Sequence, residues 1–143
     1  MILYLDTSAL VKLYAREVGS AEVKRAVARA DLVATSLVAY VEARSAFARK
    51  HRLADIDDAA LKRHKHEFEQ GWNRLDRLPV DATTIRRAGD LAEQYRLRAY
   101  DAVHLATVEL LQEAVRSAVG FACFDDALNR AATKLGLTIA AGT

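Results

Sequence analysis

Three short, mostly apolar runs, Ile2 to Leu5, Leu32 to Thr35 and Phe121 to Phe124, each end on residues that cap helices. The capping residues are Asp6-Thr7-Ser8 after the first run, Ser36 after the second, and Asp125 or Asp126 after the third. Four apolar residues in a row suit a strand buried on both faces of a parallel sheet, and a capping side chain directly behind it starts the returning helix. The first helix is expected to run to about Val18, before Gly19, and the second from Ser20 to Ala30. A third runs from Ser36 to about His51. Between Asp55 and Leu75, the residues Ile56, Leu61, Phe68, Trp72 and Leu75 recur at helical intervals among charges, predicting one or two amphipathic helices. Leu78 to Val80 reads as a short strand that Pro79 confines to an edge or a strand start. Asp81 caps a helix with Ile85, Ala88, Ala92 and Tyr95 on one side, and another helix opens at Asp101 and reaches about Ser117. Gly136 closes the helix that follows Asp125, and Leu137 to Ala140 is a last strand. Strands alternating with helices predict an α/β/α sandwich around a mostly parallel central sheet, in one domain spanning residues 1–143.

Composition narrows the class. No apolar run approaches the roughly 20 residues of a membrane span, and MILYLDTSAL lacks the basic start and long apolar stretch of a signal peptide. The single cysteine, Cys123, excludes an internal disulfide framework and a cysteine-based zinc site. A cytoplasmic protein is the simplest expectation. The net charge is +2, from 21 Lys and Arg against 19 Asp and Glu. If four of those acids share one pocket, the rest of the surface carries +6, which suits a polyanion held near a bound cation.

Four acids stand apart from the polar helix faces where the others fall. Asp6 and Asp125 end strands of one sheet, and ligands of open α/β sheets bind at the carboxyl ends of strands. Either acid also reads as a plain helix cap. Glu42 lies in a helix whose only other charged residue between Ser36 and Ala48 is Arg44. A carboxylate in such apolar surroundings needs an ion-pair partner or a ligand, since burying it alone is costly. Asp101 opens Asp-Ala-Val-His-Leu-Ala, where capping is the simple alternative. Together the four form a set of hard oxygen donors of the kind Mg²⁺ and Mn²⁺ prefer. Crowded carboxylates raise one another's pKa values unless a divalent cation offsets the repulsion, so the cluster predicts a metal.

Leu5-Asp6-Thr7-Ser8-Ala9-Leu10, the isolated helical Glu42, Tyr100-Asp101-Ala102-Val103-His104-Leu105-Ala106, and Phe124-Asp125 with Leu128 downstream resemble the PIN-domain nucleases. Length and motif order are most similar to the VapC toxins of toxin–antitoxin pairs. The resemblance covers essentially the whole chain, and its specificity comes from the combination of motifs. It implies that Asp6, Glu42, Asp101 and Asp125 are the catalytic carboxylates holding Mg²⁺ or Mn²⁺, with Ser8 and Thr7 supporting them. It also implies an RNA substrate, a cognate antitoxin protein as partner and a homodimer. One departure is Cys123, where the family often has Thr or Ser two residues before the last acid, a substitution expected to weaken support for Asp125.

The activity implied is endonucleolytic hydrolysis of RNA phosphodiesters by metal-activated water, with one or two ions, and Asp6 and Asp101 as principal ligands. The alternatives are a non-catalytic RNA-binding module of the same fold and a housekeeping RNA-processing nuclease; the presence of all four acids argues against the first. His104, three residues after Asp101, shares its helix face and reads as a core histidine or as support for the acids. His64 and His66 point about 160° apart on a helix and cannot chelate together. Lys12, Arg44, Arg96 and Arg98, near the acidic motifs, are the candidate phosphate contacts.

Overall fold

The computed structural model describes residues 1–142. In chain order the elements are β1 (Ile2–Leu5), α1 (Thr7–Val11), α2 (Ser20–Arg29), β2 (Leu32–Ser36), α3 (Val38–Arg52), α4 (Asp58–Trp72), β3 (Asp76–Leu78), α5 (Ala82–Tyr95), α6 (Ala99–Val115), β4 (Val119–Ala122), α7 (Asp126–Lys134) and β5 (Thr138–Ala141). The strands form one sheet in the order β3-β2-β1-β4-β5. Every pairing is parallel, with Ile2 opposite both Leu32 and Val119.

Side chains alternate across β1 and divide the core in two. Leu3 and Leu5 pack with Leu10, Val23, Phe47 and Phe68 from α1 to α4. Tyr4 faces the other way, toward Leu91, Leu105, Phe121 and Leu128, in the layer that α5, α6 and α7 build. All of these are fully buried. Each large apolar side chain so placed contributes about 1.5–3 kcal/mol, which is why both faces of the central strands read as uninterrupted apolar runs. The result is the expected α/β/α sandwich. No helix among the described residues is long and apolar enough to cross a membrane.

The boundaries differ from the expectations in places with physical causes. The first helix ends at Val11 rather than near Val18. Lys12, Leu13 and Tyr14 donate to carbonyls only three residues back, and the tightened chain turns Tyr14 inward, its ring 5.5 Å from Phe68. Gly19, at φ +93°, then takes the left-handed turn into α2. The segment from 55 to 75 holds a single helix, and β3 ends just before Pro79, at the sheet edge. The fourth strand lies two residues earlier than the apolar run, because Phe124 N donates to Ser8 Oγ and leaves the ladder.

The chain crosses from β1 to β2 on one side, and β4 lies on the other side of β1. The sheet's switch point is therefore the gap between β1 and β4, where open α/β sheets bind ligands at the carboxyl ends of strands. Asp6 follows β1 and Asp125 lies just beyond β4.

Candidate active site

Asp6 caps α1. Its Oδ1 accepts from Ala9 N at 3.0 Å and from Ser8 Oγ at 2.6 Å. Ser8 Oγ also accepts from Phe124 N, and Asp6 N donates to Ala122 O, so the turns after β1 and β4 are tied together. The residue is only 4% exposed, and burial pushes its carboxyl above the ordinary aspartate range despite the opposing pull of His104, Ser8 and Ala9.

Glu42 lies on α3 within a network that the apolar helix around it had hidden. Its Oε1 accepts from Thr7 Oγ1 at 2.6 Å and lies 2.8 Å from His104 Nε2. His104, 1% exposed, also lies 3.0 Å from Thr7 Oγ1 through Nε2, and its Nδ1 lies 2.8 Å from the Tyr4 hydroxyl. Nε2 thus faces Glu42 and Thr7 while Nδ1 hydrogen-bonds with the Tyr4 hydroxyl, which holds the ring in place. Burial raises the Tyr4 pKa and keeps its hydroxyl protonated. Burial also pushes Glu42 upward, but His104, Thr7 and Arg98 outweigh it and hold the carboxyl below the usual glutamate range. His104 is thus both core histidine and support for Glu42. Tyr4 was hidden inside an apolar strand, where the available signal was a buried phenol needing a partner. We expect His104→Leu to lower the urea midpoint by the equivalent of about 1–3 kcal/mol, since it strands the Tyr4 hydroxyl. Adding Tyr4→Phe should restore part of that loss; a double variant as unstable as the sum of the two single variants would contradict the coupling.

Asp101 and Asp125 are joined through one side chain. Arg98 Nε donates to Asp101 Oδ2 at 2.9 Å, and Arg98 Nη2 donates to Asp125 Oδ2 at 3.4 Å. The helix was expected to open at Asp101, but Asp101 does not cap it. Arg98 is the extended N-cap of α6, without a side-chain cap bond, and Asp101 sits in the first turn, where the helix dipole favours an acid. Asp125 does cap α7, accepting from Leu128 N at 2.8 Å, and exposed Asp126 is the first helical residue. Cys123 supports the Asp125 backbone rather than its carboxylate: Asp125 N donates to Sγ at 3.3 Å. Burial first, then the Asp6 charge, drives the thiol pKa far up, so Cys123 remains a neutral thiol.

The four acids share a neighbourhood of charge. Arg98 feels Asp101, Asp125 and Glu42, while His104 acts on both Asp6 and Glu42. Among the described residues, no three His, Cys, Asp or Glu side chains stand together as ligands of one ion. The carboxylates are instead held by protein groups, Ser8 and Ala9 N for Asp6, Thr7 and His104 for Glu42, and the shared Arg98 for Asp101 and Asp125, which offsets the repulsion expected of the cluster. The donor chemistry still fits a hard divalent cation: every acid offers carboxylate oxygen, the hydrogen bonds from Ser8 and Ala9 to Asp6 fall on Oδ1, and a cationic guanidinium already bridges two of the acids.

Other sequence candidates are engaged elsewhere. Lys12 pairs with Glu17 at 2.9 Å and lies over the Phe124 ring, and Arg44 is held by Tyr40 and Glu69. His64 packs against Phe47 while His66 is exposed, so the two do not meet.

The PIN domain profile matches residues 3–134. Ribonuclease VapC45 of Mycobacterium tuberculosis (strain CDC 1551 / Oshkosh) is 35% identical over 106 residues, 74% of each chain. Ribonuclease VapC46 of Mycobacterium tuberculosis (strain ATCC 25618 / H37Rv) is 33% identical over 140 residues, 97% of this chain and 96% of its own. A toxin–antitoxin complex from Klebsiella pneumoniae contains a chain that superposes with TM-score 0.63 at 18% identity, over 86% of both chains, a likeness of fold.

Proposed function

Since the chain belongs to the PIN-domain family and is of the VapC type, we propose that it is a divalent-metal-dependent endoribonuclease, the toxin of a type II toxin–antitoxin pair. The observation that carries this reading is the position of the acids at the switch point: Asp6 and Asp125 lie beyond the carboxyl ends of adjacent strands, and Arg98 links Asp125 to Asp101. Asp6, Glu42, Asp101 and Asp125 would hold Mg²⁺ or Mn²⁺. When bound, the ion polarises the phosphoryl oxygens, lowers the pKa of water and steadies the leaving oxygen.

The protein's own groups have separate tasks. Ser8 and the Ala9 amide fix the Asp6 rotamer through Oδ1. Thr7 and His104 hold Glu42 Oε1, and Tyr4 orients the imidazole from behind. Arg98, 79% exposed, keeps Asp101 and Asp125 together and can turn outward to a phosphate. An antitoxin protein as partner is supported by the toxin–antitoxin complex of similar fold. A homodimer, a single domain over residues 1–143 and a cytoplasmic setting complete the proposal.

The test is cleavage itself. Purified protein should cut a structured RNA at discrete positions with Mg²⁺ or Mn²⁺ and leave it intact in EDTA. Equal cleavage in EDTA would remove the metal from the account, and no cleavage under any condition would favour a binding module.

A further inference from the structure

Beside the acidic site lies a cleft of about 190 Å³ between the end of α5 and the exposed side of α7. Its lining includes Tyr95, Arg96, Arg130 and Lys134, with no carboxylate. Elsewhere the cations near the site are neutralised: Lys12 and Lys50 by Glu17, Arg44 by Glu69, Arg98 by Asp101 and Asp125. Arg96, Arg130 and Lys134 form no ion pair among the described residues. Arg130 and Lys134 stand four residues apart on one helix face, where like charges destabilise a helix by about 0.2–0.5 kcal/mol. Arg96 faces them across the cleft from a left-handed cap at φ +55°, a conformation an L residue adopts at a cost, which fixes where its side chain emerges. Lys134 Nζ lies 6.0 Å over the Tyr95 ring. Three unpaired cations around a small cleft are the chemistry of an anion site.

Its position identifies the anion. Helix α7 starts at Asp125, its N-cap, so at 1.5 Å per residue Arg130 lies about 7 Å and Lys134 about 13 Å along the axis from that carboxylate. Arg98, already touching Asp125, precedes them, and Arg96 is two residues before it. The cations thus form a track leading away from the acids in steps comparable to those between backbone phosphates. We propose that Arg96, Arg130 and Lys134 form a subsite for phosphates of the RNA strand, one to two nucleotides from the bond that is cut. The assignment rests on the nuclease reading above. Phosphate contacts of this kind set register and affinity rather than base preference.

The test measures binding of a short labelled single-stranded RNA by fluorescence anisotropy, in an Asp101→Asn background that prevents cleavage. Arg130→Gln with Lys134→Gln should weaken binding at least tenfold. Between about 50 and 200 mM salt, the slope of log affinity should fall by about 0.7 per lost contact. Arg96→Gln should act in the same direction. A control pair with the same loss of charge, Lys62→Gln with Lys65→Gln on the exposed face of α4, should leave affinity within twofold. All these side chains are exposed, so the circular dichroism spectrum should not change. The subsite is overturned if the α7 pair binds RNA as tightly as its parent, or no worse than the control. It is also overturned if the variants keep full RNA affinity and lose only binding of a polyglutamate peptide. Cleavage by the otherwise unaltered protein with Mg²⁺ is scored separately, so failure of the nuclease reading is distinguishable from failure of the subsite.

Discussion

Asp101→Asn is expected to reduce RNA cleavage at least about a hundredfold, beyond the range of about 10–100-fold that follows from losing only a contact supporting a metal ligand. The change preserves side-chain shape but removes the negative charge that a hard cation requires. Little else should change. Asp101's side chain bonds to Arg98, whose own side chain is 79% exposed, and such pairs contribute at most about 1 kcal/mol. Asp6→Asn should be equally inactive for the same reason, with a different stability signature. Asparagine keeps an acceptor oxygen for Ser8 and Ala9, so the α1 cap survives. It also removes a charge from a site that burial already disfavours, so the midpoint of thermal unfolding should stay level or rise. Cleavage rates for both variants, with melting curves alongside, decide the matter; wild-type rates in both would contradict the carboxylate mechanism.

The second large effect concerns packing. Phe47→Ala should destabilise the protein by about 3–5 kcal/mol, enough to unfold much of a marginally stable domain at elevated temperature. Phe47 is fully buried, with ring centroids 5.7 Å from Phe68, 6.5 Å from Tyr14 and 5.8 Å from His64. It anchors α3, the helix that carries Glu42, to α4 and to the turn after α1. Phe47→Leu fills most of the volume and should cost far less. Urea unfolding of the two variants measures the difference; a loss below about 1 kcal/mol for the alanine variant would show that the cluster rearranges to fill the space.

Much of this was legible along the chain. The run Ile2 to Leu5 followed by Asp-Thr-Ser marks both β1 and the cap of α1, because a doubly buried strand needs apolar residues and the next helix needs an acceptor. Glu42 stood out for the same physical reason: a charge in an apolar helix must have partners, and it does. What those partners are was not legible. Tyr4 and His104 are 100 residues apart, and only the pairing of β1 with β4 and the packing of α6 on the sheet bring them together. Arg98 was visible as a base near Asp101, but its bridge to Asp125 depends on the placement of α7. The helix expected to open at Asp101 begins at Ala99 instead, behind Arg98, whose side chain caps nothing. The Tyr14 turn likewise follows from an aromatic cluster assembled from three separate segments.

If the acids around Arg98 take up a divalent ion and RNA hydrolysis depends on it, binding and cleavage must rise together. Calorimetric titration of Mn²⁺ into EDTA-stripped protein, with cleavage measured at the same concentrations, tests this most directly. Saturable binding is expected, with cleavage rising over the same range and both lost in Asp101→Asn. Full cleavage by stripped protein, or Mn²⁺ binding unchanged in Asp101→Asn, would contradict it.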